Sequence, residues 1–194
     1  MRLIDLQGIA ELHREHGNGF DGYKVESVPA SLNWPDDVLE QWLYDHLDHF
    51  LTDYGHIDLD SISWNLEDHD HEELVCLSTG ASERDLLEHN AKIHAHLVAS
   101  RGEEVTAMWQ NHGTWLRPPI LLACNLVSPD GLGLQVVEGR TRLGVLRGRA
   151  ENGLFVSATH SVWVGRRAEL PAGDSPRLNT RMATTRAADP WRRP

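Results

Sequence analysis

Apolar positions along this chain change their spacing several times, and each change predicts an element. Asp5 to His16, with Ile9 and Leu12 on one face, predicts a short helix ended by Gly17. Tyr23 to Val28 alternates and predicts a strand before Pro29. Asn33-Trp34-Pro35-Asp36-Asp37 predicts a helix start, with Asn33 or Trp34 at the cap, proline in the first turn and acids facing the helix dipole. Val38, Leu39, Trp42, Leu43, Leu47, Phe50, Leu51 and Tyr54 continue as one apolar stripe, so a single helix is expected to run to Gly55. Ile57-x-Leu59 and Ile62-x-Trp64-x-Leu66 have period two and predict one or two strands, followed by a polar connection over Glu67 to Glu73. Ser82-x-x-Asp85 resembles a capping box, with aspartate in place of the usual glutamate. It is expected to open a helix with Leu86, Leu87, Ile93, Leu97 and Val98 inward and Gly102 beyond its end. Glu103 to Asn111 predicts a further helix, with Val105 and Trp109 on one face.

The pattern then tightens. Trp115-Leu116-Arg117-Pro118-Pro119 is a stiff segment, because consecutive prolines fix φ and block a helix. Ile120 to Asn125 has strand length, Ser128-Pro129-Asp130-Gly131 is a turn signal, and Leu132 to Val137 is the partner strand. The apolar run stops at Glu138-Gly139, and Leu143, Val145 and Leu146 give the next helix its apolar face. Asn152-Gly153 ends that helix, and Phe155 to Val164 is rich in strand formers. The expected fold is α+β, a small mixed sheet joined to a mostly helical, acidic N-terminal half. Residues 1–165 are expected to form a single domain, with a 1–114 half and a 115–165 core, followed by an Arg-rich tail over 166–194.

Charge sharpens this division. Over its 194 residues the chain carries a net charge of −11. Residues 1–104 hold 23 acids and 6 bases, whereas residues 105–194 hold 6 acids and 12 bases, all arginine. Either the arginine half meets a nucleotide or nucleic acid, or the two halves neutralise each other by packing, and the two readings are compatible. A −17 half repels a polyanion, so any DNA contact is expected after residue 105. The first residues, MRLIDLQGIAELHREHG, are interrupted by charges and do not read as a leader; no apolar run approaches a membrane span. Cys76 and Cys124 have no CxxC spacing and read as reduced core thiols of a cytoplasmic protein, with a disulfide between them as the alternative.

The chemistry concentrates at Gln135 to Arg149. Gly139 permits a tight turn between strand and helix, and the free N–H groups of the helix start form an anion site beside Arg140, Thr141 and Arg142. The two arginines favour phosphate, unless Arg142 simply pairs with a neighbouring acid. Glu138, directly before the turn, either holds Mg²⁺ and orients a water or pairs with Arg140 or Arg142. His160 is a candidate general base or a buried structural histidine. Arg117 either reaches a phosphate or caps an acidic patch. Twelve histidines include the Glu67 to Glu73 string (EDHDHEE), read as a solvated acidic loop or a metal site, and the helix-face pair His46 and His49. The chain contains no HExxH, no GxxxxGK[ST] and no nucleophile elbow.

The order of these elements, with PPILLACN, LQVVEGRTRLGVL and FVSATHSVWVG, resembles the ParB/sulfiredoxin-like superfamily over about residues 115–165. Pro118-Pro119-Ile120 and the Gly139-x-x-Arg142 box are its two anchors. The resemblance implies that the box cradles nucleotide phosphates. Arg140 and Thr141 replace the cysteine and histidine of sulfiredoxins, which argues against sulfinic-acid reduction. No helix-turn-helix region of ParB length follows. An acid-Gly-x-Thr-Arg box also occurs in the free-serine-kinase branch, so a free-amino-acid kinase is one reading. Other branches draw an acid from their N-terminal part, which makes Glu26 a weaker candidate. Overall layout resembles the small Osa-type fertility-inhibition proteins of conjugative plasmids. That implies an ATPase and DNase using ATP with Mg²⁺ or Mn²⁺, acting on DNA such as a single-stranded transfer intermediate, and blocking DNA transfer. The rival reading is a non-enzymatic inhibitor that covers a component of a DNA-secretion machinery.

Overall fold

The computed structural model describes residues 1–168. Five strands form one mixed sheet in the order β1-β5-β3-β4-β2: β1 (Ile62–Asp70), β2 (Ser78–Thr79), β3 (Ile120–Ala123), β4 (Leu134–Glu138) and β5 (Thr159–Arg167). β5 runs antiparallel to β1 and parallel to β3, β3 is antiparallel to β4, and β4 is parallel to β2. Alternation divides the sheet between two cores. Ile120, Leu122 and Val137 join one, while Leu121, Val136, Val162 and Val164 join the other. A sheet apolar on both faces must be covered on both, and it is.

The N-terminal helices cover the first face. They are α1 (Ile9–Glu15), α2 (Gly19–Lys24), α3 (Ser27–Ser31), α4 (Asp36–Val38), a π-helical segment (Leu39–Tyr44) and α5 (Leu47–Tyr54), with Tyr23, Trp42, Phe50 and Tyr54 buried between them. The second face is covered by α6 (His71–Leu74), α7 (Leu86–Lys92), α8 (His94–Ala99), α9 (Glu103–Asn111) and the longer α11 (Arg140–Glu151). The short α10 (Cys124–Val127) follows β3 and returns Leu126 to the first core. Two small residues press α11 onto α7. A Cβ on Gly144 would lie 2.3 Å from Asn90 Cβ, and one on Gly148 would lie 2.2 Å from the Ala91 carbonyl oxygen.

The α+β class is as expected, but several boundaries move. Tyr23 to Val28 is helical and not a strand, since Tyr23 packs edge-to-face with His13 inside a helical layer. Glu26, expected on that strand, precedes α3 and faces His13 at 3.2 Å. The single helix expected up to Gly55 is broken at Asp45–His46, where the π-helical segment ends and α5 begins. Glu67 to Asp70 continues β1 instead of forming a connection, because β5 pairs with it through Asp70. Ser82 is not a helix cap: its N–H and hydroxyl bond Asp53, and α7 starts only at Leu86. Cys76 is exposed and Cys124 half-buried, both as free thiols. β5 ends at Arg167, so the first residues assigned to the tail belong to the sheet, and residues 169–194 lie outside the described residues. Ion pairs of Arg117 with Asp37 and Glu40, Arg140 with Glu83, and Arg166 with Glu67 tie the acidic half to the basic one. Among the described residues no helix is long and apolar enough to cross a membrane.

Candidate functional site

The turn from β4 into α11 has one backbone solution. Gly139 adopts φ 91° and ψ 20° as the N-cap of α11, a left-handed conformation that L side chains resist. It also lies against the prolines that open β3, where a Cβ would meet Pro119 Cβ at 2.4 Å. The two sequence anchors therefore touch. The first backbone N–H of this region to find a partner is that of Leu143, bonded to the Gly139 carbonyl at 2.9 Å. Those of Arg140, Thr141 and Arg142 have none among the described residues, and no side chain caps the helix. Three free donors at the positive end of a twelve-residue helix are an arrangement to which anions bind readily.

The arginine side chains take the ion-pairing alternatives that the sequence left open. Arg142 donates to the Glu138 carboxylate and to the Arg117 carbonyl (2.8 Å), so it braces the turn against the proline segment. Glu138 is thereby occupied as an ion-pair partner. Arg140 is nearly buried. It donates to Thr79 Oγ1 (2.8 Å) and to Glu83, its guanidinium sits 4.7 Å over the Phe50 ring, and its Nη2 has no partner. Arg117 is held by Asp37 and Glu40 of the N-terminal layer, and Trp163 Nε1 donates to the same Asp37 at 2.7 Å. Thr141 Oγ1 accepts from Arg101 at 3.4 Å, and Arg101 is exposed.

Gly139, Arg140, Thr141, Arg142, Arg117 and Glu138 line one cavity of about 550 Å³. The rest of its lining comes from the α5 region and from α8 and α9, with Phe50, Leu97, Val105 and Trp109 apolar and Asp45, His46 and His49 polar. Burial pushes the Asp45 carboxyl up from the usual carboxylate range. His160 is not among the lining residues. It is 2 % exposed, its Nδ1 shares a 2.8 Å hydrogen bond with Thr114 Oγ1, and its ring packs 4.7 Å from Trp115. Burial pushes this imidazole down to about 4, which keeps it neutral. That matches the structural alternative and not a base facing the cavity.

Sequence reasoning missed Arg101, Phe50 and Asp45 as neighbours of the turn. Each arrives through packing of helices onto the sheet, and no local spacing marks it. Histidine spacing did mark His46 and His49, though not their place in the lining of the same cavity as the turn. The Glu67 to Glu73 string lies on β1 and α6, where His69 meets Glu67 and Glu73. No group of three or more His, Cys, Asp or Glu suited to a metal ion occurs among the described residues. No family model, curated protein or solved structure matches this chain.

Proposed function

We propose that this protein binds a nucleotide in the cavity at the β4–α11 turn, with phosphates on the free N–H groups of Arg140, Thr141 and Arg142. The observation that carries this reading is three unpartnered donors at the head of α11, facing a cavity large enough for a drug-sized ligand. Arg101, exposed and with its side chain bonded only to Thr141 Oγ1 among the described residues, supplies the cation, while Arg142 and Arg117 position the backbone. The apolar wall of Phe50, Leu97, Val105 and Trp109 suits a base. The resemblance to ParB/sulfiredoxin-like proteins supports ATP as that nucleotide, with Mg²⁺ or Mn²⁺ arriving as its counter-ion. The resemblance to Osa-type proteins supports hydrolysis of ATP and DNA in the service of blocking plasmid DNA transfer.

One observation favours the second reading, a nucleotide-binding inhibitor without hydrolysis. The acid next to the turn, Glu138, is engaged by Arg142 and so does not fit a metal or a water-activating role as it stands. The test is calorimetric titration with a non-hydrolysable ATP analogue, followed by turnover assays with ATP and with single-stranded and duplex DNA, with and without chelator. Binding with turnover supports the hydrolase, binding without turnover supports the inhibitor, and no binding removes both.

A further inference from the structure

Two histidines of the cavity lining, His46 and His49, belong to neither the turn nor its arginine braces. His46 is the N-cap of α5, and His49 lies three residues on in its first turn, where its N–H bonds the His46 carbonyl at 3.0 Å. That spacing puts both side chains on one side of the helix. Their ring centres are 5.7 Å apart and their planes 40° from each other. Both are exposed, both line the cavity that Gly139 to Arg142 lines, and neither ring has a hydrogen-bond or ion-pair partner among the described residues.

We infer that His46 and His49 together hold a transition-metal ion of the Zn²⁺ class, whose remaining positions are taken by water or by a ligand phosphate. Two imidazoles bound to one zinc at about 2.0–2.1 Å have ring centres roughly 5–6 Å apart, the separation found here. Imidazole suits zinc and its neighbours, whereas Mg²⁺ selects oxygen donors. The donor set therefore argues for a softer ion than the Mg²⁺ expected from sequence. Among the described residues the pair belongs to no group of three ligand side chains, so it is one protein ligand short of the usual open zinc site and the remaining positions fall to water or phosphate.

Charge supports the pairing with phosphate. Two neutral imidazoles leave the ion its full double charge, whereas carboxylate ligands would cancel it. Free N–H groups and Arg101 in the same cavity lining offer further positive potential. A phosphate in this cavity would have the metal and the backbone donors as complementary partners. The phosphate half of this proposal rests on the nucleotide reading above; the metal half does not.

The test uses the full chain. Zn²⁺ is titrated calorimetrically, and Co²⁺ is followed by its visible absorption, with and without the ATP analogue. A single metal site is expected, weakened at least about tenfold by His46→Gln or His49→Gln, because even outer-shell changes at metal sites cost that much. Both residues are exposed, so these variants keep the fold. The analogue should tighten Zn²⁺ binding, and Zn²⁺ should tighten the analogue by the same factor. Equal Zn²⁺ affinity in wild type and in the doubly substituted chain overturns the site. So does a variant that loses analogue affinity regardless of chelator, since the imidazoles would then contact phosphate directly. Zn²⁺ binding that needs both histidines, in a protein that binds no analogue, upholds the metal site and rejects the nucleotide reading.

Discussion

Polar nitrogen without a partner occurs at several places among the described residues, and two of them, the head of α11 and His160, differ in what surrounds it. At the head of α11, three backbone N–H groups open onto a cavity flanked by Arg101 and braced by the Arg142–Glu138 pair. On β5, His160 Nε2 is also unpartnered, but the ring is closed in by Trp115 and Thr114. An unmet donor facing a cavity is an invitation to a ligand. An unmet nitrogen in a closed core is a stability liability that a change of pH exposes. The first is where we propose that a ligand binds, and the second is where structure is held at a cost.

The largest expected effect is at Gly139. Gly139→Val puts a β-branched residue at φ 91° and against Pro119, which should cost about 2–4 kcal/mol by urea unfolding and abolish analogue binding. Retained stability and binding would mean that the turn tolerates other geometries.

His160 tests the closed site. Its folded-state value of about 4 lies below the ordinary 6.5, so the unfolded chain takes the proton first. The neutral ring's contribution is full above pH 6.5 and is lost as pH falls toward 4, roughly 2–3 kcal/mol in all. Urea unfolding across that range should show this slope in wild type and lack it in His160→Gln. Analogue binding near neutral pH should be unchanged in the variant, because His160 lies outside the cavity lining. A binding loss there would place His160 with the functional site after all.

Arg142→Ala should destabilise by about 1–3 kcal/mol, because it leaves Glu138 without its partner and frees the Arg117 carbonyl. Arg101→Ala is the smallest change. Stability should stay within about 0.5 kcal/mol, as at other exposed sites. Analogue binding should weaken by about 1 kcal/mol or slightly more, measured calorimetrically. If instead Arg101→Ala leaves affinity intact while Arg142→Ala abolishes it without unfolding, Arg142 is the phosphate ligand and not the brace.

Legibility in the sequence follows the range of the interactions involved. The β4–Gly139–α11 turn was readable, because its cause is local: an apolar run, a glycine and a helical stripe. The proline segment was readable as stiff, but not as the surface against which Gly139 packs. The Val38–Tyr54 stripe concealed the break at Asp45–His46, since apolar spacing survives a π-helical segment. Tyr23 to Val28 alternates by chance, and burial of Tyr23 among helices overrode that pattern. The fates of Arg117, Arg140 and Arg142 were open in sequence, because whether an arginine meets an acid or a ligand depends on residues 25 to 80 positions away or on the neighbouring turn.

The central claim is that the amides of Arg140, Thr141 and Arg142 receive phosphate, and their own resonances test it most directly. ¹⁵N–¹H spectra of the full chain should be recorded as the non-hydrolysable ATP analogue is added. The amide protons of these three residues should move downfield together and saturate, with the His160 region unmoved. Saturating analogue that leaves these three amides in place, or shifts concentrated elsewhere in the molecule, would contradict the account.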